Sequence, residues 1–325
     1  DIAETRLPQD GAARVRIGDR EIDIRVSTVP VSEGERIVLR LLRRESAALT
    51  LEELGMEAAT ATVFRRLTKE PQGIVLVTGP TGSGKTTTLY AALLGVDTRR
   101  LNVMTIEDPI EYRLPAISQI QINPRIDLTF ARCLRHVLRQ DPDVVLVGEM
   151  RDLETAEIAV RASLTGHLVL TTLHTNDAVG AALRLVDMGI EPYLISAALR
   201  GILAQRLARR LCPLCRQPAV WTREELMESG VWMPPSAPSR GNHWLAKGCP
   251  SCMEGYKGRV GLFELLEMDE PLSQAVRAGE DPGALRRLAK SGGMRSLVED
   301  GWTKVLSGET SFDELVRVAG RQDHR

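Results

Sequence analysis

The spacing of hydrophobic and polar residues changes character several times along the chain. Residues 14–17 (RVRI) and 22–26 (IDIRV) alternate between apolar and polar side chains, which is typical of half-buried β-strands. Gly34 interrupts the alternation at the position of a turn. We therefore predict a small strand-rich N-terminal domain over residues 1–45, truncated at its start, and a charged helical linker over residues 46–71.

From residue 72 onward, short apolar runs alternate with segments of helical periodicity. The runs have the length of buried strands and lie at residues 74–77, 103–106, 144–147 and 168–170. Strands that alternate with helices indicate a mostly parallel sheet covered on both faces, which makes this an α/β protein. We place this core at residues 72–208. An aperiodic segment rich in Pro, Ser, Gly and Trp follows over residues 209–258, and residues 259–325 have the period of helices.

The composition limits the class of protein. The 325 residues carry a formal net charge of -1, and 4% of them are aromatic. Domains that coat nucleic acid usually have a strong basic excess and aromatic stacking surfaces, so we expect no nucleic-acid partner. No apolar run approaches the roughly 20 residues of a membrane-spanning helix, and the sequence opens without the pattern of an export leader. We expect a cytoplasmic protein with no transmembrane segment that reaches any membrane through partners.

A glycine-rich motif follows the strand predicted at residues 74–77. The glycines of such a loop let backbone N–H groups surround phosphates, and the helix that follows adds a favourable dipole. Lys85 would neutralise the β- and γ-phosphates, and Thr86 would ligate magnesium. The motif fits G-x-x-x-x-G-K-[ST], and the predicted nucleotide site comprises Gly79, Pro80, Thr81, Gly82, Ser83, Gly84, Lys85, Thr86 and Thr87. The sequence therefore predicts binding of ATP with Mg²⁺.

A second apolar strand ends in an acidic residue, as the partner strand of such a loop should. The run at residues 144–147 is followed by Gly148 and Glu149, whereas the common pattern has Asp and then Glu. We predict that Glu149 activates the attacking water and that no carboxylate at Gly148 ligates magnesium. The alternative is that Glu149 only starts the next helix.

Two further strand ends carry clusters of polar residues. Glu107 lies in the cluster at residues 105–111, and His174 lies in the cluster at residues 165–177. Ligands of parallel sheets bind at the carboxyl ends of strands, so both clusters should border the nucleotide. His174, among hydroxyl groups, favours contact with phosphate or water. Thr175 or Asn176 could instead cap the following helix.

Three arginines recur at helical spacing between residues 129 and 139. Arg132, Arg135 and Arg139 share one stripe, opposite an apolar stripe. Two explanations remain open: a solvated helix face, or arginines that complete the active site of a neighbouring subunit.

Four of the five cysteines form two C-x-x-C pairs, Cys212 with Cys215 and Cys249 with Cys252. In a chain without an export signal this pattern indicates a metal more often than a disulfide. Four thiolates match the tetrahedral preference of structural zinc, so we predict a Zn²⁺ site that closes an irregular loop. Cys133 stands alone and is expected to be buried in a helix.

These motifs together resemble the motor ATPases of type II secretion and type IV pilus assembly. The resemblance rests on the loop 79–86, the acidic box 107–111, the strand end 146–152 and the histidine box 166–177, and it extends over nearly the whole chain. It implies a RecA-like P-loop core with a small strand-rich N-terminal domain, a tetracysteine zinc insert and a helical C-terminal domain. It also implies that Glu149 is catalytic and that Glu107 and His174 belong to the catalytic region.

The resemblance further implies a homo-hexameric ring that binds ATP between its domains. Arginines of that family surround the phosphates or act across the ring, and they match Arg25, Arg40, Arg135, Arg139 and Arg151; we expect Arg25 and Arg40 to act on a neighbouring subunit. Cysteine pairs of this kind occur in secretion and pilus-extension motors. We therefore predict a type II secretion motor, with pilus assembly as the alternative and DNA translocation as a further rival. The expected partners are inner-membrane platform proteins, reached through a cytoplasmic docking partner that places the motor peripherally at the membrane.

Overall fold

The computed structural model describes residues 1–18, 20–43, 49–235 and 237–320. The N-terminal strands form an antiparallel three-stranded sheet in the order β1-β2-β3, as the alternating pattern predicts. Arg25 and Arg40 face each other across β2 and β3, so both project from the same side of the sheet. The strands are β1 (Gln9–Ile17), β2 (Arg20–Val31) and β3 (Gly34–Arg43).

The core is a seven-stranded sheet in the order β12-β9-β4-β8-β7-β5-β6. The four strands predicted from apolar runs are present as β4, β5, β7 and β8, and all four are parallel. The sheet strands are β4 (Gly73–Thr78), β5 (Val103–Glu107), β6 (Ser118–Gln121), β7 (Val144–Val147), β8 (Leu168–Leu173), β9 (Leu199–Leu211) and β12 (Tyr256–Glu267).

Helices cover both faces of this sheet. Along β4, Ile74 and Leu76 join one hydrophobic cluster, whereas Val75 and Val77 join the other. Every residue of β4 is therefore buried, as expected for a central parallel strand. The covering helices are α1 (Ala58–Leu67), α2 (Lys85–Leu93), α3 (Phe130–Val137), α4 (Leu153–Leu164), α5 (Ala178–Asp187) and α6 (Pro192–Ala198).

The sheet extends beyond the core predicted at residues 72–208. β9 continues past residue 208 to Leu211, and β12 returns antiparallel beside it, so the region predicted as purely helical begins with a core strand. β12 was missed because it follows a 44-residue excursion that contains the cysteine pairs. The region predicted as a linker contains α1, whose Phe64 is fully buried against the sheet.

The segment between the cysteine pairs has more regular structure than its aperiodic sequence suggests. It contains β10 (Gln217–Thr222), α7 (Arg223–Glu228) and β11 (Arg240–Leu245), and β10 and β11 form an antiparallel pair. Trp221 packs into a third cluster with Trp302 and Phe312 of the C-terminal helices. These helices are α8 (Glu270–Ala278), α9 (Pro282–Ser291), α10 (Leu297–Leu306) and α11 (Phe312–Ala319).

No helix within the described ranges combines the length and the apolar character that crossing a bilayer requires.

Candidate functional site

The glycine-rich loop joins the end of β4 to the start of α2. Gly79 has φ +149°, and a Cβ there would lie 2.3 Å from the carbonyl oxygen of Gln205, so only glycine fits. The Lys85 ammonium donates to the carbonyl oxygens of Gly79 (2.8 Å) and Pro80 (3.1 Å). Burial lowers the pKa of Lys85, because the charged amine loses water. A lysine held by the loop backbone at the N-terminus of a helix is suited to binding a polyphosphate.

One residue that holds this loop was not found from the sequence. Gln205 of β9 is 2% exposed, accepts a hydrogen bond from Thr88 Oγ1 (2.7 Å) and donates to the carbonyl oxygen of Ser83 (2.8 Å). It lies more than a hundred residues after the loop, in a strand whose own pattern carries no functional signal.

A cavity of about 360 Å³ opens beside the loop and gathers most of the predicted catalytic residues. It lies at the carboxyl ends of β4, β5, β7 and β8, where ligands of parallel sheets bind. Its lining includes Arg25, Arg40, Lys85, Thr86, Glu107, Asp108, Glu149, Arg151 and His174. The strand-end clusters therefore meet as the sequence predicts.

Glu149 points into this cavity with a side chain that is 15% exposed. Its carboxylate makes an ion pair with Arg151, and its Oε2 lies 3.7 Å from Nε2 of His174. Burial and the nearby Lys85 charge lower the pKa of His174. His174 is therefore neutral near pH 7 and can accept or donate a hydrogen bond beside the carboxylate.

Gly148 shows why the common aspartate is absent from this strand end. A Cβ at Gly148 would lie 3.1 Å from the carbonyl oxygen of Ile106 and 3.4 Å from Cα of Glu107. β5 approaches too closely for a carboxylate to fit without displacement. Asp108, at the end of β5, supplies another carboxylate to the same cavity.

Glu107 is almost fully buried at the wall of the cavity. Its carboxylate accepts hydrogen bonds from Tyr90 Oη, from Thr105 Oγ1 and, at 3.1 Å, from Gln119 Nε2. Burial, followed by the bond to Glu107, raises the pKa of Tyr90, which keeps this hydroxyl protonated as a donor. Three neutral donors thus fix Glu107 in place.

The histidine box is anchored to the loop strand and to the helix that follows it. Thr175 Oγ1 lies 2.8 Å from Thr78 Oγ1 at the end of β4. The cap of α5 is Asp177, whose side chain accepts from the Gly180 N–H at 2.6 Å. The cap is therefore neither Thr175 nor Asn176; the side-chain oxygen of Asn176 instead accepts a bond from Arg206 (3.0 Å).

The predicted arginines divide into two groups. Arg25, Arg40 and Arg151 line the cavity of their own chain. Arg135 lies exposed on α3, and Arg139 lies in the turn after that helix; neither belongs to that lining. Arg135 makes an ion pair with Glu154, and Arg139 donates to the carbonyl oxygen of Arg135 (3.1 Å). Arg25 and Arg40 belong to the N-terminal sheet, which borders the site of its own chain. Their action on a neighbouring subunit stays a prediction.

The four paired cysteines converge on one point. Their Sγ atoms all lie within 4.8 Å of one another, with Cys215 to Cys252 at 3.7 Å and Cys212 to Cys249 at 4.0 Å. Four sulfurs at about 2.3 Å from a tetrahedral zinc ion would be roughly 3.8 Å apart, so the cluster has the dimensions of a metal site. Cys133 is buried in α3, away from this cluster, as the sequence predicts.

A parallel sheet with a glycine-rich loop at a strand end, and an acidic residue on a neighbouring strand end, defines the class of P-loop nucleotide-binding proteins. Within that class, the chain belongs to the family of type II/IV secretion system proteins, which matches residues 1–317. The resemblance inferred from the motifs is therefore confirmed.

Curated relatives match almost all of the chain. Type II secretion system protein HxcR of Pseudomonas aeruginosa is 54% identical over 319 residues, which are 98% of this chain and 64% of that protein. Type II secretion system ATPase E of Vibrio cholerae is 53% identical over 98% of this chain and 62% of that protein. The chain thus spans less than two thirds of the length of these relatives.

Solved structures share the fold. The pilus retraction motor PilT with bound ADP has a TM-score of 0.70 and 27% identity, over 98% of this chain and 79% of that one. The ATPase DotB of Legionella pneumophila has a TM-score of 0.68 and 24% identity, over 95% of this chain and 76% of that one.

Proposed function

We propose that the chain hydrolyses ATP as a subunit of a motor that drives type II protein secretion. The observation that carries this proposal is the single cavity in which Lys85 and Thr86 of the phosphate loop meet Glu149. The assignment to type II secretion, and not to another process, comes from the names of the relatives at 53–54% identity. Pilus assembly is the second candidate, because the sequence motifs resemble those of pilus motors as well; the solved pilus motor of the same fold, at 27% identity, is one named for retraction.

Each residue of the cavity has a separate role in phosphoryl transfer to water. The loop N–H groups and Lys85 hold the β- and γ-phosphates. Glu149 accepts the proton of the attacking water. The Glu149 carboxylate is itself held by its ion pair with Arg151 and lies beside a neutral His174. Arg25 and Arg40 neutralise the charge that develops on the transferred group. Thr86 and the carboxylates at the strand ends would hold a magnesium ion, which would further neutralise the phosphate charge.

A motor of this kind also implies an oligomeric state and a cellular location. We propose a homo-hexameric ring with head-to-tail contacts, since a subunit with different faces closes into a ring when its rotation allows. The ring lies in the cytoplasm and works on inner-membrane platform proteins through a docking partner. ATP turnover moves the N-terminal sheet relative to the core, because that sheet contributes Arg25 and Arg40 to the site.

Hydrolysis assays test the proposal against its DNA-translocating rival. The purified chain should release phosphate from ATP in the presence of Mg²⁺ and lose this activity when the metal is chelated. Single- or double-stranded DNA at physiological salt should leave the rate unchanged. A strong stimulation by DNA would favour translocation of nucleic acid. Complementation of strains that lack a secretion motor or a pilus motor then separates the two remaining candidates.

We also propose that the cysteine cluster holds one Zn²⁺ per chain. Replacement of Cys212 by Ser should release the ion and loosen the packing around Trp221, since β10 follows the first cysteine pair directly. The zinc content, measured by elemental analysis, should fall below one ion per chain. The emission of Trp221, Trp232 and Trp244, which all lie in this segment, should shift to the red. Cys133→Ala is the control, and it should keep the zinc. Wild-type protein that contains no zinc after purification without chelator would contradict the assignment.

A further inference from the structure

A buried carboxylate lies at the junction of two hydrophobic clusters. Alternate side chains of a strand share one face of the sheet, so Leu262, Glu264 and Leu266 of β12 point the same way. Leu262 packs into the third cluster, with the C-terminal helices, and Leu266 packs into the cluster that contains Ile74 of β4. Glu264, between them, is 6% exposed. Charged residues are rarely buried in this way without a partner.

The partners of Glu264 are the first N–H groups of two helices. One carboxylate oxygen accepts a hydrogen bond from the N–H of Ala178 (2.8 Å), the first residue of α5. The other accepts one from the N–H of Leu297 (3.4 Å), the first residue of α10. The first N–H groups of a helix have no partner within it, and the helix dipole favours a negative charge there. Glu264 therefore binds the starts of α5 and α10 to one strand.

The charge of this carboxylate is costly at such a position. Burial raises the pKa of Glu264, because the charged group loses water, and the hydrogen bond from the Ala178 N–H acts in the opposite direction. An apolar side chain would avoid this cost but would leave the N–H groups of Ala178 and Leu297 without their acceptor. The side chain is thus matched to this pair of helix ends.

The start of α5 is continuous with the histidine box. His174 lies four residues before Ala178. The Thr175 hydroxyl donates to the carbonyl oxygen of Asp177 (3.0 Å), which braces the turn between them. A displacement of Ala178 would therefore reach the segment that carries His174, whose Nε2 lies 3.7 Å from the carboxylate of Glu149.

A second contact joins the same turn to the C-terminal helices. Arg286 of α9 makes an ion pair at 2.9 Å with Asp177, the cap of α5. Half of the Arg286 side chain is exposed, so water screens this pair. The buried contact through Glu264 is therefore the stronger connection between α5 and the C-terminal helices.

We propose that Glu264 is a positioning residue that ties the histidine box to the C-terminal helices and thereby places His174 beside Glu149. This inference rests on the proposed ATPase function and adds to it a route by which the C-terminal helices affect hydrolysis. Glu264 does not line the cavity that contains Lys85 and Glu149, so it acts without touching the nucleotide.

The kinetics of Glu264→Gln test this role. Glutamine keeps the shape and one acceptor oxygen, but its NH₂ group faces one of the two helix N–H donors. We expect kcat to fall by ~10- to 100-fold, because a small displacement near the reacting groups slows the chemical step. KM for ATP should stay the same, since the phosphate loop is intact.

Glu314→Gln is the matched control. Glu314 is fully buried and accepts a hydrogen bond from the backbone N–H of Arg209 (2.7 Å), but it belongs to α11 and does not contact the histidine box. Both variants should lose thermal stability. Glu314→Gln should nevertheless keep the kcat of the unchanged chain.

A double-mutant cycle shows whether the effect passes through His174. The kcat of His174→Ala should not fall further when Glu264→Gln is added, whereas the effects of independent sites would add. Hydrogen exchange of the full chain gives a readout that needs no hydrolysis. Amides of residues 174–180 and of the start of α10 should exchange faster in Glu264→Gln and at the normal rate in Glu314→Gln.

Several results would overturn the inference. Additive losses in the cycle, or equal losses of kcat in Glu264→Gln and Glu314→Gln, would reduce Glu264 to a residue of general stability. Unchanged exchange at residues 174–180 would show that its carboxylate does not hold the start of α5. Absence of hydrolysis by the unchanged chain would instead contradict the proposed function, and the exchange rates would still decide whether Glu264 holds α5.

Discussion

Replacing Glu149 by Gln is expected to lower the rate of ATP hydrolysis by about 10²- to 10⁴-fold while nucleotide stays bound. Glutamine keeps the size and the hydrogen-bonding capacity of the side chain but cannot take the proton of the attacking water. The Lys85 ammonium and the loop N–H groups, which hold the phosphates, are unaffected. Single-turnover hydrolysis, measured together with ATP affinity, gives both quantities for the same protein.

Two comparisons make this result specific. Lys85→Ala should also be inactive but should lose nucleotide affinity, because the loop then holds a polyphosphate without its fixed cation. Normal turnover by Glu149→Gln would mean that another carboxylate of the cavity acts as the base. Asp108, which lines the cavity next to the fixed Glu107, would then be the candidate.

The centre of the fold follows from local sequence, because its strands are short apolar runs buried on both faces. The function of the loop from Gly79 to Thr86 could also be predicted from local sequence. Its conformation requires glycine, and the lysine that binds phosphate, Lys85, lies in the same short motif. The convergence of Glu149 with His174 could be predicted as well, since carboxyl ends of parallel strands share one edge of the sheet.

Contacts between distant segments could not be read in the same way. Gln205 holds the loop through bonds to Thr88 and Ser83, but a buried glutamine in a strand has no sequence signature. Trp221 of the cysteine insert packs on the C-terminal helices, so the aperiodic insert gains its order from that surface and not from its own pattern. The position of the N-terminal sheet over the loop of its own chain is likewise a tertiary property.

That position leads to a second prediction, in which the arginines act on the site of their own chain. Removal of Arg25 should lower the hydrolysis rate by roughly 10³- to 10⁵-fold, the scale of an arginine that stabilises the transferred phosphoryl group. Arg25 and Arg40 line the same cavity as Glu149 of their own chain. On this placement, we expect a working site to need Arg25 and Glu149 from one subunit. Rates for Arg25→Ala, with ATP affinity measured in parallel, test the size of the effect.

Mixed rings distinguish action within one subunit from action across a boundary. Arg25→Ala subunits mixed with Glu149→Gln subunits should stay inactive, since every site lacks one of the two groups. Arg135→Ala mixed with Glu149→Gln should regain activity if Arg135, exposed on α3 outside its own cavity, serves a neighbour. In head-to-tail rings the productive arrangement occurs at about a quarter of interfaces. Recovery in the Arg25 mixture, with co-assembly shown, would instead prove that Arg25 crosses the boundary.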